Sequence, residues 1–406
     1  MLIKMSKTRQ LLLYIALLTT TFAVMYSTIF QVINYNIFEA FPDNKMAVNF
    51  FISAPYLVVM IVSLISPAIY NRTNRKYALL TASIIFTISA LLFTHQSSIY
   101  GFITVNLICG AMAAYINVAA VTLIAELYVD ENVKAKYMGY YNAAMAAVGS
   151  IFSVIAGYLA SESWIGAFNT YWSAALMTLL IAFFMPSLPK KLFIKENEDK
   201  KEKASLKALG KRFWVLTLNF LILGITYFVP GFFLSLYIAE HGLGDITYAG
   251  IALSLDTLGG AIFAFFFGYT YKKFGSYSSV AAFILMSIVI FLLYFMPNPI
   301  MLPIIVMLMG ASYMTSISYA YQESSRVVPK SCLSLAMGII VGVQYLAVFL
   351  AAYVTTGLMN LLQTELLTPV LIFPASWILF FALVEYLSIK AYEKNNLKKS
   401  TDIVMN

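Results

Sequence analysis

Asp256 is the residue best placed to do chemistry in this chain. It stands in Ser254-Leu-Asp-Thr-Leu-Gly-Gly260, well inside a long apolar run. If that run crosses a bilayer, a carboxyl at such depth costs roughly 2.5–3.5 kcal/mol on insertion scales, so it is expected to face a cavity and to have a function. Two uses suit it: taking up and releasing a proton, or offsetting the charge of a cationic ligand. The plainer reading is an aspartate hydrogen-bonded to a neighbouring helix. Gly259 and Gly260, one turn further on, would let helices approach closely at a moving part.

Glu126 and Glu323 are the next candidates. Each ends an apolar run and is followed by cations, Lys134 and Lys136 in one case and Arg326 and Lys330 in the other. Paired as Glu126 with Arg72 or Arg75, and Glu323 with Arg326 or Lys273, they would form ion pairs that tie neighbouring helix ends together, as a gate on that face would need. Lys76 and Lys272 extend the two basic clusters. A partly desolvated Arg–carboxylate pair is stronger and more directional than an exposed one. The bland alternative is ordinary helix-end charge among wet headgroups. Glu385, about a turn before Lys390, reads as a partly solvated acid snorkelling to the surface, and no Lys or Arg is expected deep in any span.

The remaining polar groups inside apolar runs are mostly uncharged: Gln31, Asn34, Asn106, Asn117, Asn142, Asn219 and Gln344. The chain holds 28 Tyr and 31 Phe. Tyr26, Gln31, Asn117, Asn142, Tyr227, Tyr313, Gln344 and Tyr345 are the span residues that could meet a ligand if the helices enclose a cavity. An aromatic cavity with a few polar groups suits a lipophilic or amphipathic ligand. Tyr also gathers at membrane interfaces, and Asn and Gln also bond helix to helix. With no deep cation to offset it, a multiply anionic substrate is disfavoured; a neutral or cationic one fits Asp256.

Enzymatic chemistry finds little support. The two histidines are His95 and His241, with no H-E-x-x-H, no Ser–His arrangement at credible depth and no phosphate-binding G-x-x-x-x-G-K-[ST]. No metal or cofactor is expected, and Cys109 and Cys332 imply no disulfide framework.

The elements that must hold these residues are membrane helices. Hydrophobic residues make up 61% of the chain and charged residues 11%, against about 25% charge in a soluble domain. Twelve apolar runs meet the roughly 20 residues needed to cross hydrocarbon: 11–33, 46–69, 77–95, 99–126, 137–160, 166–186, 214–238, 247–270, 277–296, 300–322, 333–356 and 367–389. Of the 26 Lys and Arg, all but Lys45 fall in alternate gaps, the pattern of positive loops kept in the cytoplasm. Both termini are therefore expected to be cytoplasmic, in a multi-pass cell-membrane protein that acts as a monomer. The net charge of +8 is a topology signal spread over seven segments, so no nucleic acid is expected as a partner. A charged stretch at 190–212 divides an N-terminal set of six spans (1–189) from a C-terminal set (213–406).

The two sets repeat one another. Span 2 ends in Pro67-Ala-Ile-Tyr-Asn71-Arg72-Thr-Asn74-Arg75-Lys76, and span 8 in Gly268-Tyr-Thr-Tyr-Lys272-Lys273-Phe-Gly275. Glu126 followed by Met138-Gly139 is echoed by Glu323 followed by Met337-Gly338. On these signals the chain resembles the major facilitator superfamily, whose loop 2–3 motif is G-x-x-x-D-R-x-G-R-R/K. Arg72, Arg75 and Lys76 match; Pro67, Asn71 and Asn74 replace Gly, Asp and Gly. In the second half Gly268, Lys273 and Gly275 match, with Lys272 at the acidic position. Glu126, Lys134, Lys136 and Gly139 look like the family's loop 4–5, whereas the Gly-Pro motif of drug/proton antiporters is missing from span 5. The resemblance implies two pseudo-symmetric six-helix bundles with a midplane site between the repeats, working by alternating access. The expected function is proton-coupled efflux of a small, neutral or cationic, lipophilic molecule. The alternatives are uptake of a small nutrient and a non-transporting membrane sensor.

Overall fold

Every backbone N–H and C=O in hydrocarbon must be satisfied within its own segment, so apolar runs of this length fold as helices. A computed structural model describes residues 6–70, 73–127, 131–186, 206–329 and 332–404. Among them the ordered elements are helical, with no strand. The α-helices are α1 (Lys7–Thr19), α2 (Thr21–Val24), α3 (Thr28–Ala40), α4 (Lys45–Tyr70), α5 (Arg75–Leu91), α6 (Ile99–Leu127), α7 (Glu131–Leu159) and α8 (Trp172–Phe184). They continue with α9 (Gly210–Phe232), α10 (Leu234–Glu240), α11 (Ile246–Phe274), α12 (Ser278–Phe295), α13 (Leu302–Val327), α14 (Leu333–Leu362) and α15 (Ile372–Val404). Eleven stretches among the described residues are long and apolar enough to span a membrane, and one of them, Ile246–Phe295, contains both α11 and α12. Twelve crossings result.

Three spans are interrupted. The first is made of α1, α2 and α3, although it holds neither Gly nor Pro. Its breaks coincide with hydroxyls turned back on the backbone: Thr20 Oγ1 donates to the Leu17 carbonyl at 2.6 Å, Thr21 Oγ1 to Leu18 at 2.6 Å, and Thr28 Oγ1 to Met25 at 2.8 Å. Such back-bonding competes with the helical ladder and bends it. The seventh span divides into α9 and α10 at Phe233, just past Pro230-Gly231, where proline removes a donor from the ladder. The sixth opens as a 3-10 segment, Trp164–Tyr171, before α8.

The chain forms two compact units: Met1–Asn197 with Phe233–Ser254, and Glu198–Phe232 with Leu255–Asn406. In the first, α4 and α5 both pack on α6, α1 packs on α8, and α3 and the 3-10 segment pack on α7. Its core is aromatic, with Phe30, Phe51, Phe93, Phe102, Phe168 and Tyr171 in mutual ring contact. The 233–254 segment is fastened here: Ser235 Oγ accepts from Tyr35 N at 3.2 Å, and Ser150 Oγ donates to the Ser254 carbonyl at 3.1 Å. Gly157 and Gly250 allow that approach, since a Cβ on Gly157 would lie 2.9 Å from the Ile246 carbonyl oxygen and 3.2 Å from Gly250 Cα. In the second unit α9 packs on α13, α14 and α15, and α12 packs on α13 and α15. The charged 190–212 stretch enters the described residues at Leu206, in a short 3-10 turn that runs into α9.

Candidate functional site

Three helices of the second unit bring Asp256, Tyr227 and Tyr313 together. Asp256 lies on α11, 5% exposed, and accepts a hydrogen bond at Oδ2 from the Tyr227 hydroxyl on α9. The Tyr227 ring stacks on Tyr313 of α13, with centroids 4.1 Å apart and planes 4° from parallel. Phe228 closes the group edge-on, 4.8 Å from Tyr227 and 5.4 Å from Tyr313. Among the described residues no cation pairs with Asp256.

Glycine makes this convergence possible. A Cβ on Gly310 of α13 would sit 2.9 Å from Asp256 Oδ1 and closer still to the Asp256 backbone carbonyl. Gly259 meets the Met307 carbonyl and Gly260 the Met314 side chain in the same way. The α11–α13 crossing therefore depends on three small residues on facing surfaces, the usual means of close helix contact in membranes. The site pairs a buried carboxyl with aromatic faces. Ring faces attract cations and stack on planar apolar groups, each worth about 0.5–2 kcal/mol.

A second cluster lies at the α9 N-terminus. Arg212 Nη2 and Nη1 donate to Glu385 Oε1 at 2.6 Å and Oε2 at 3.0 Å, a bidentate pair. Glu385 also accepts from Asn219 at 2.5 Å and from the Tyr319 hydroxyl at 3.0 Å. Glu323 lies 3.6 Å from Arg212 and 2.9 Å from Arg326. Both acids are fully buried and Arg212 is 7% exposed. This corrects two expectations. Glu385 is no snorkelling acid but the most heavily bonded carboxylate described, and Arg212, expected to close a solvated linker, is buried at the first turn of α9. Arg212 reads as the end of the basic linker, and its sign in the sequence is the seven-residue spacing to Asn219, two turns along one helix face.

The other sequence candidates are dispersed. Glu323 does meet Arg326, whereas Lys272 and Lys273 are exposed and Lys273 lies over the Phe274 ring at 5.4 Å. Arg75 is buried at the start of α5 and donates to the Thr73 carbonyl at 3.4 Å; Lys76 is half-buried. Arg72, and the side chain of Glu126, fall outside the described residues. Tyr26 is enclosed in the first unit's core, where it donates to Asn106 Oδ1 at 3.0 Å and its carbonyl accepts from Tyr171 at 3.1 Å. Asn117 belongs to a polar chain, accepting at 3.3 Å from Tyr141, which in turn lies 3.2 Å from Thr20 Oγ1. Gln344 accepts from Tyr321 at 3.1 Å, joining α13 to α14. Gln31 and Tyr345 are half-buried and Asn142 is exposed.

Known proteins share this architecture. The Major Facilitator Superfamily model matches residues 11–352. A bacterial homologue of the human lysosomal transporter Spinster, inward-facing and occupied, superposes with a TM-score of 0.75 at 14% identity, covering 96% of this chain and 99% of that one. The nucleoside transporter NupG superposes with a TM-score of 0.74 at 12% identity, covering 94% and 99%. Among curated proteins none matches the chain. With the family model spanning most of its length and two transporter folds covering nearly all of it, the chain belongs to the Major Facilitator Superfamily.

Proposed function

We propose that this multi-pass transporter is a proton-coupled secondary exporter. It carries a small neutral or cationic lipophilic molecule across the cell membrane by alternating access, with both termini in the cytoplasm. The observation that carries the reading is the Asp256 carboxyl, buried with no cation paired to it among the described residues and held by Tyr227 against a stacked tyrosine pair. An ionised carboxylate there meets no compensating charge, so it exchanges a proton or a cationic ligand as the site changes access. The aromatic faces supply affinity for a flat or cationic ligand at little conformational cost.

The gate in this reading is the pair of basic loops with their acids. Glu323 and Arg326 form one half, and Arg72, Arg75, Lys76 and Glu126 are assigned to the other. The division into bundles at 1–189 and 213–406 follows the internal repeat. A monomer with no cofactor or metal suffices, since the ion gradient supplies the energy. The test is vesicle flux with a ligand chosen from a diverse panel by thermal shift at two pH values. Asp256→Asn should abolish gradient-driven flux at normal expression, and right-side-out against inverted vesicles give the direction. Uptake of a small nutrient is the second reading, supported by the missing Gly-Pro motif in span 5.

A further inference from the structure

Away from the Asp256 site, a groove of about 710 Å3 opens between α4, α5 and α6 of the first unit. Its walls include Val62 and Ile65 of α4, Tyr77 and Ala78 of α5, and Met112 and Tyr115 of α6. The size falls in the roughly 300–1,000 Å3 range of small-ligand sites, and the lining is nearly all apolar. Ile65 is 53% exposed and Tyr77 61%, so the groove is open along its outer side. Because these helices span the membrane, that side meets lipid chains.

One end of the groove differs. It reaches Thr73 and Asn74, in the loop where α4 and α5 leave the membrane, and the next two residues are Arg75 and Lys76. Tyr115 reaches the same end, with its hydroxyl close to Thr73 and Arg75 and with no hydrogen bond of normal geometry among the described residues. That hydroxyl is buried, and Tyr115 is one of the residues that line the groove. Basic residues at this level attract anionic headgroups, and a buried polar group without a partner is costly.

We infer that the groove is a binding site for one anionic phospholipid. An acyl chain lies between α4 and α5 on the α6 floor, the phosphate meets the Lys76 ammonium, and a headgroup or ester oxygen accepts from the Tyr115 hydroxyl. The chain buries apolar surface that the three helices leave open, and the charge at the loop selects the headgroup. The groove lies apart from the Asp256 site, which is built on other helices, and shares only Lys76 with the gate assigned above.

Native mass spectrometry of the full-length protein tests it, with dioleoyl phosphatidylglycerol and dioleoyl phosphatidylcholine as probes. The wild type should hold one phosphatidylglycerol in preference to phosphatidylcholine. Ala78→Phe and Ala111→Phe fill the groove from different walls, and each should remove that adduct while remaining monodisperse in gel filtration. Lys76→Gln should weaken the preference about fivefold, the effect of one cation near an anionic headgroup, and Tyr115→Phe should weaken retention of the lipid. Equal retention of the two lipids by the wild type overturns the proposal. So does a phosphatidylglycerol adduct that survives in whichever groove-filling variant is monodisperse.

Discussion

Removing Glu385 from the second unit should be among the most damaging single changes in the protein. The carboxylate receives two hydrogen bonds from Arg212 and one each from Asn219 and Tyr319, all within 2.5–3.0 Å. In Glu385→Ala, Arg212 stays buried with Glu323 at 3.6 Å as its nearest acid, and Glu323 is already shared with Arg326 at 2.9 Å. Breaking a buried pair from one side costs about 3–5 kcal/mol, because the surviving charge is stranded. Replacing both partners by apolar residues of similar size is often close to neutral. Arg212→Leu/Glu385→Leu should therefore be the milder change, with about 1–3 kcal/mol left from the orphaned Asn219 and Tyr319 groups. Equilibrium unfolding in mixed micelles reads this out through Trp214, two residues from Arg212. A Glu385→Ala variant within 1 kcal/mol of wild type, or a double variant as unstable as the single, would refute the reasoning.

Other substitutions probe the carboxyl site. Gly310→Ala places a methyl against the Asp256 carbonyl and should cost about 1–3 kcal/mol by overpacking. Gly268→Ala on α11, with no atom within 4 Å of the added Cβ, should instead stabilise by about 0.5–1 kcal/mol; thermal unfolding of the two variants side by side checks the opposite signs. Tyr227→Phe keeps the ring stack on Tyr313 and deletes the bond to Asp256, so coupled flux should fall about tenfold or more while ligand-induced thermal stabilisation persists. At the Gly157–Gly250 approach, Gly250→Val meets the Ser153 carbonyl and should loosen the 233–254 segment, read as faster amide exchange over α10.

Much of this was legible in the sequence, for physical reasons. Membrane-crossing runs and loop charges obey strong, local rules, so twelve crossings could be counted before any coordinates. Asp256 stood out because a charge inside an apolar run is rare and expensive, whereas Tyr227 and Tyr313 were only two of eight cavity candidates, since nothing in the sequence shows which tyrosine faces the carboxyl. The glycines that bring α11 onto α13 were visible as Gly259-Gly260, but their partner Gly310 was not, since a facing surface is set by helix rotation. The broken first span was hidden because its breaks use threonine hydroxyls in place of Pro or Gly. Glu385 and Arg212 were misread for a related reason: each looks like surface charge near a helix end, and only three-dimensional packing of α9, α13 and α15 encloses them. Tyr26, legible as a span tyrosine, is used up in the aromatic core of the first unit.

The central claim is that one carboxyl couples protons to substrate. Proteoliposomes bearing Asp256→Asn, loaded with the ligand found by pH-dependent thermal shift, test it most directly. The account predicts that a pH gradient no longer drives accumulation, while counterflow exchange of labelled ligand continues. Gradient-driven accumulation equal to wild type would contradict it.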